Sequence, residues 1–366
     1  MEISVQEKRS LSKKKYFLFW TVLLIILLAI TVVSAIAIGS TYIPPGEVYK
    51  VLLSKLSNGM LFGDVGTIMT QNIIWEIRFP RVLLGAMCGA GLAICGVLMQ
   101  CVTKNPIAEP YILGISSGAS CGAVAVIVLG GISTMGINSI STGAFVGSII
   151  SGVLVFAIGT QMGKTTSTTR LVLTGMAIST IFSALTNLLI YSADNSNQAK
   201  NALFWTVGSL GRAKWDVLLL PFIILIIVTI ASFVMSKSLD ILLLGDDSAI
   251  ILGINVKLIK SIILILATLL TSSLVAITGA IGFIGLVVPH VCRTIAGSDH
   301  KKLIVLSSLI GAIFLIISDI FARGLFPPIE IPIGIITSLV GGPFFLYLIS
   351  KKNYAFGGKE QCIKFK

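Results

Sequence analysis

Charge is scarce in this chain. Only 11% of its 366 residues are charged and 55% are hydrophobic, whereas a soluble domain carries about a quarter charged residues. Spans of roughly 20 apolar residues recur along the whole length, so most of the protein has lipid as its solvent. That excludes a water-soluble enzyme. Histidine is nearly missing: His290 and His300 are the only two, too few and too isolated for a metal site. The six cysteines, Cys88, Cys95, Cys101, Cys121, Cys292 and Cys362, show no C-x-x-C or other metal-ligand spacing. All but Cys362 lie in or beside apolar spans and read as small hydrophobic core residues. No metal and no bound cofactor is expected on this chain.

A nucleotide site is lacking too. Gly163-Lys164-Thr165 ends like a phosphate loop, but that loop needs a glycine where this chain has Ile158, and no strand context precedes it. If ATP drives this protein, another subunit binds it. No catalytic constellation is present, so the chain is not expected to be an enzyme. Ionisable residues inside apolar spans, the mark of ion-coupled pumps, are few. Asp319 is the clearest, with Arg323 one helical turn on. It reads either as a carboxylate that orients its arginine or as a proton carrier.

What remains is a membrane bundle. Ten apolar segments are expected at 16–38, 80–101, 111–131, 141–162, 170–191, 215–235, 257–279, 283–297, 303–322 and 332–350, the eighth short and interrupted by Pro289. The first follows Lys13-Lys14-Lys15 and is longer than the roughly 7–15 residues of a signal-peptide core, so it reads as a retained helix. Three parts follow: a basic N-terminus at 1–15, a transmembrane domain at 16–350 and a C-terminal tail at 351–366. The net charge of +12 does not form one patch. Basic residues sit at the ends of spans, which is membrane topology and not nucleic-acid binding. With both termini inside and ten spans, 19 of the 27 basic residues lie in the cytoplasm and 8 outside. Gly85-x-x-x-Gly89, Gly118-x-x-x-Gly122 and Gly143-x-x-x-Gly147 offer faces for close helix packing.

Three features point beyond a bundle. From Arg78 to Ser120, two arginines three residues apart open a glycine-rich span that breaks at Lys104-Asn105-Pro106 and Glu109-Pro110, then turns apolar again. This suggests a transport route. Arg78, Arg81 and Arg323 fall outside, against the positive-inside bias. They either present guanidinium groups to a carboxylate partner or snorkel to anionic headgroups. Second, 239–255 is too short to span. Gly245 and Gly253 bracket an acidic helical turn with Asp246-Asp247, suited to a partner's groove; a surface-lying helix would usually be basic. Third, the hydroxyl run Thr165 to Thr169 precedes the fifth span, where it caps that helix or lines a pore.

These residues resemble the permease subunits of the iron-siderophore, haem and vitamin B12 family of ABC importers, the type II importers. The resemblance covers about 16–350. It rests on RFPR at 78–81, GAGLAICGVLMQ at 89–100, NPIAEPYILGISSGAS at 105–120, LLLGDDSAIILGIN at 242–255, GFIGLVVPHVCR at 282–293 and IPIGIITSLVGGPFFLYLI at 331–349. It implies an all-α, ten-helix permease that pairs with a second copy or a sister permease in a bacterial plasma membrane. Two cytoplasmic ATPase subunits and an extracytoplasmic substrate-binding protein are the implied partners. The implied cargo is a large metal chelate, a ferric siderophore first, haem or cobalamin otherwise. By the same resemblance Arg78, Arg81 and Arg323 dock the binding protein. Gly245, Asp246, Asp247, Ala249, Leu252 and Gly253 contact the ATPase, and Asn105, Ile107, Thr168 and Thr169 form a cytoplasmic gate.

Overall fold

The computed structural model describes residues 5–39, 41–60, 62, 66–130, 139–160 and 168–351. Among them the chain is helical, with no strand. The first helices are α1 (Val5–Ala37), α2 (Pro45–Leu56), α3 (Ile68–Asn72), α4 (Phe79–Thr103) and α5 (Ile115–Leu129). They are followed by α6 (Ser139–Thr160), α7 (Thr168–Tyr191), α8 (Ser196–Val207), α9 (Trp215–Val234) and α10 (Ser236–Leu242). The last are α11 (Asp246–Ile251), α12 (Val256–Thr278), α13 (Ile284–Ala296), α14 (His300–Gly324) and α15 (Ile333–Lys351). Each of the ten expected apolar segments holds a helix among the described residues, and 131 and 161–162 lie outside them. Among the described residues eight spans are long and apolar enough to cross a membrane, while α5 and α13 are shorter apolar helices. Both short helices begin at breaks inside the bundle, which is why they fall below a membrane's width.

Helix α4 is the axis of the bundle, and nearly all of its residues are buried. Glycines let its neighbours approach to backbone contact. A Cβ on Gly89 would lie 2.1 Å from the Gly311 carbonyl of α14, and one on Gly96 would lie 2.0 Å from the Gly285 carbonyl of α13. The two remaining glycine motifs face each other: Gly118 and Gly122 of α5 pack on Gly147 and Gly143 of α6. Lipid tails are as apolar as leucine, so such close backbone packing takes the place of hydrophobic exclusion.

Two breaks shape the interior. After α4 the chain runs through an elbow, 104–109, and a 3-10 turn, Pro110–Leu113, before α5. Between α12 and α13, Thr278 lies beside Cys88 while Gly285 packs on Gly96. The non-helical segment 279–283 therefore drops past eight residues of α4, about 12 Å, at the middle of the bundle. Pro289 interrupts the short eighth segment as expected, but it lies inside α13 without ending it. It has no N–H for the Gly285 carbonyl, but Gln100 Nε2 of α4 donates to that oxygen at 3.1 Å. Arg293 Nη1 in turn donates to Gln100 Oε1 at 2.5 Å.

Candidate functional site

The candidate functional side chains lie at the two ends of the bundle and in a groove between them. At one end stand the three arginines, two of them, Arg81 and Arg323, joined through Asp319. Arg81 donates from Nε and Nη2 to Asp319 Oδ1 at 3.0 and 2.9 Å, and from Nη1 to Glu330 at 2.9 and 3.0 Å. Arg323 Nε lies 2.9 Å from Asp319 Oδ2. Arg78 donates to the carbonyls of Ile36, Ala37 and Thr41, and Arg323 to those of Ala35 and Ile38. Two guanidinium groups thus satisfy the last carbonyls of α1, where the helix dipole favours positive charge. Arg78 and Arg81 do not point together despite their spacing, because each finds a different internal partner. All three arginines are buried, and Glu330, half-exposed, is the solvent-facing member of the network. Asp319 lies between the Arg81 and Arg323 guanidinium groups, the geometry expected of a carboxylate that orients its arginine.

Beside this end a cavity of about 870 Å³ is lined by α5, α6, α8 and Glu330. Arg212, on its wall, stacks 5.3 Å from the Trp205 ring. Burial pushes the Arg212 guanidinium down to about 10, still a cation at neutral pH.

The groove lies deeper, with a volume of about 470 Å³ between α5, α7, α8 and the break at 280–282. Its wall carries polar side chains among apolar ones: Ser116, Ser117 and Ser120 from α5, Ser179, Ser183, Thr186 and Asn187 from α7, and Thr206 from α8. Tyr111 and Glu109 stitch the elbow to the opposite break. Tyr111 Oη donates to the Ile281 carbonyl at 2.6 Å and accepts from Ile281 N at 3.0 Å, while Glu109 Oε2 accepts from Phe283 N at 3.1 Å. Irregular backbone at membrane depth is tolerated where it is buried in protein or lines a polar cavity, and both breaks do so here. Sequence reasoning missed this wall. The signal was present: Ser116 and Ser120, then Ser179, Ser183 and Asn187, recur every four residues within apolar helices, a polar stripe on one face.

At the opposite end the elbow is locally braced. Lys104 closes α4 in the left-handed region, φ 49°. Asn105 Oδ1 accepts from Ile107 N at 3.1 Å, and the Asn105 carbonyl accepts from Ala108 N. Ile107 packs with Leu286, Val287 and Leu348. Thr168 and Thr169 open α7. Among the described contacts none joins them to Asn105; α7 meets this region at Gly175, against the Ile112 carbonyl. The remainder of the hydroxyl run, Thr165 to Ser167, lies outside the described residues, as do Lys164 and Cys362. The acidic turn forms α11, whose Ala249 is buried while Ile250, Ile251 and Leu252 are exposed. Asp246 lies 2.9 Å from Lys104 and 2.6 Å from Lys260. Partial burial pushes its carboxyl up, but the two lysines outweigh this and hold it below the usual range. Among the described residues no group of histidine, cysteine or carboxylate side chains could hold a metal.

Comparison with known proteins agrees with this geometry. A family model described as the FecCD transport family matches residues 26–351. The chain is 38% identical to the cobalamin import system permease protein BtuC of Halobacterium salinarum, over 77% of this chain and 74% of that one. It is 38% identical to the hemin transport system permease protein HmuU of Yersinia pestis, over 78% and 86%. Among solved structures, a metal-chelate type ABC transporter in an inward-facing conformation superposes with a TM-score of 0.77 at 30% identity, covering 91% of this chain and 99% of that one.

Proposed function

The chain belongs to the FecCD transport family, and on that premise we propose that it imports a ferric siderophore as one of two permease subunits of an ATP-driven importer. The observation that carries the reading is the hydroxyl-lined groove at membrane depth. A bundle that served only as an anchor or scaffold has no use for a polar stripe bordered by two broken helices. The hydroxyls and the Asn187 amide suit the oxygen-rich periphery of a siderophore better than the flat apolar face of haem. A second copy of the chain, or a sister permease, closes the open side of the groove.

In this reading the arginine end faces outward and the elbow end faces the cytoplasm, as the bias of basic residues favours. The chain then sits in a bacterial plasma membrane with both termini inside. An extracytoplasmic binding protein docks at Arg78, Arg81 and Arg323. An acidic side chain of that partner exchanges with Glu330 for Arg81 and leaves the buried Asp319 contacts in place. Two cytoplasmic ATPase subunits grip Gly245 to Gly253, with Asp246, Asp247, Ala249 and Leu252 shaping the contact. ATP energy acts through differential binding to the outward and inward states. Asn105, Ile107, Thr168 and Thr169 close the inner gate. This chain performs no covalent chemistry and binds no cofactor of its own.

Uptake by cells with and without the chain tests the reading, using labelled ferric siderophores, haemin and cobalamin. Loss of ferric siderophore uptake alone is the expected result. Loss of haemin or cobalamin uptake instead keeps the importer and replaces the cargo. Uptake of all three unchanged in a strain without a second permease of this kind overturns it.

A further inference from the structure

Helix α11 is only six residues long and is flanked by two glycines in positive-φ conformations, Gly245 at 117° and Gly253 at 81°. Each glycine takes a backbone turn that other residues rarely adopt, so the chain changes direction at both ends of the short helix. Its apolar tip points away from the bundle. Its ionic attachment to the rest of the chain is Asp246, which reaches two separate elements. Oδ2 pairs with Lys260 on the first turns of α12 and Oδ1 with Lys104 at the end of α4. The Lys260 side chain is 4% exposed, so its ammonium has little water to turn to when the carboxylate is removed. That pair is an anchor. Lys104 is different. It is a solvent-accessible side chain on a residue whose backbone starts the elbow, directly before Asn105.

We propose that Asp246 is the junction through which α11 holds the elbow: anchored by Lys260, it passes displacement of α11 to Asn105 and Ile107 through Lys104. The proposal rests on the reading of α11 as the ATPase contact and the elbow as the gate. Physically, a carboxylate shared by two ammonium groups is a pivot. When α11 is pushed, the short Lys260 contact holds one oxygen and the other carries Lys104 with it. The near half of the elbow can follow because its own bonds are those at Ile107 N and Ala108 N, while Glu109 holds the far end to Phe283 N. Lys104 and Asp246 are thus positioning residues that touch no cargo.

Backbone hydrogen exchange on the full chain in lipid nanodiscs tests the junction without cargo or ATPase. Lys104→Met is expected to speed exchange of the Ile107 and Ala108 amides roughly threefold, the scale of a part-exposed ion pair. Lys104→Glu, which replaces attraction by repulsion, is expected to speed it about tenfold. Lys104→Arg keeps the wild-type rate, and amides in the middle of α4 are unchanged in all three. Unaltered elbow exchange in Lys104→Glu overturns the proposal.

A second arm uses the chain with its co-purified ATPase subunits and substrate-binding protein in proteoliposomes, with a ferric trihydroxamate, haemin and cobalamin as probes. Lys104→Glu is expected to lower the amount transported per ATP about tenfold while ATP hydrolysis persists, and Lys104→Arg to restore it. An unchanged ratio in Lys104→Glu also overturns the junction. If wild-type vesicles move none of the probes, the importer reading fails, and the exchange arm still decides the junction on its own.

Discussion

Gln100 supplies the hydrogen bond that Pro289 cannot. The Gly285 carbonyl lies four residues before Pro289 on α13, where an N–H would normally meet it, and Gln100 Nε2 reaches it from α4 instead. This contact lets a proline sit inside a short buried helix without breaking it. It also welds α13 to α4 beside the break that lines the groove.

Gln100→Leu should leave the Gly285 carbonyl buried and unpaired, at a cost of about 1–3 kcal/mol. Gln100→Glu should be no better, since it keeps an acceptor for Arg293 but loses the donor. Thermal unfolding of the purified chain in nanodiscs measures both, and two variants as stable as wild type would remove the role assigned to this amide.

Asp319 is 2% exposed and pairs with two guanidinium groups. Asp319→Asn leaves Arg323 without its carboxylate partner and Arg81 with Glu330 alone, and should destabilise the fold by about 3–5 kcal/mol. A proton-carrying aspartate predicts something else: a well-folded variant that has lost only gradient-driven transport. Unfolding and transport measured on one preparation separate the two.

Glu330 is the solvent-facing partner of Arg81, and its side chain is 50% exposed. Glu330→Gln should change stability by no more than about 1 kcal/mol. If it competes with an incoming carboxylate, the same change should tighten binding of the substrate-binding protein, read as a lower Kd. Weaker binding would mean that Glu330 helps the docked state and does not compete with it.

Ser179 and Ser183 line the groove, and no hydrogen bond ties either hydroxyl to the bundle among the described residues. The double change to alanine should therefore stay within about 0.5 kcal/mol of wild-type stability. Cargo uptake should fall nonetheless, because only the cargo uses those hydroxyls. Full uptake by the double variant would place the path elsewhere.

Ile251, 85% exposed at the tip of α11, is left uncovered by the described residues. Ile251→Asp should leave the bundle folded and weaken ATPase association by about tenfold or more, as loss of an apolar anchor does. Co-purification and a titration of the ATPase subunits would show it.

Much of this protein could be read from its residues in order. Apolar spans of a fixed length must be helices, since every backbone N–H and C=O in lipid has to be satisfied within its own segment. That requirement is local, so the ten helices emerged with ends close to those expected. The acidic turn between Gly245 and Gly253 was legible for the same reason, its glycines marking where a helix starts and stops. The glycine motifs showed which faces pack closely, but not that Gly118 and Gly122 would meet Gly147 and Gly143.

Pairing is what the tertiary structure decided. Arg78 and Arg81 are a helical turn apart and share a spacing that suggests a common partner. Yet one caps α1 and the other binds Asp319, because the choice depends on helices far away in sequence. Pro289 looked like a breaker until Gln100 arrived from α4. The groove needed α5, α7 and α8 side by side before scattered serines became one wall. Local rules determine what each segment is. Which charge meets which, and which polar faces are shared, follows from helix packing, where partners are brought together by shape and by the cost of leaving any buried polar group alone.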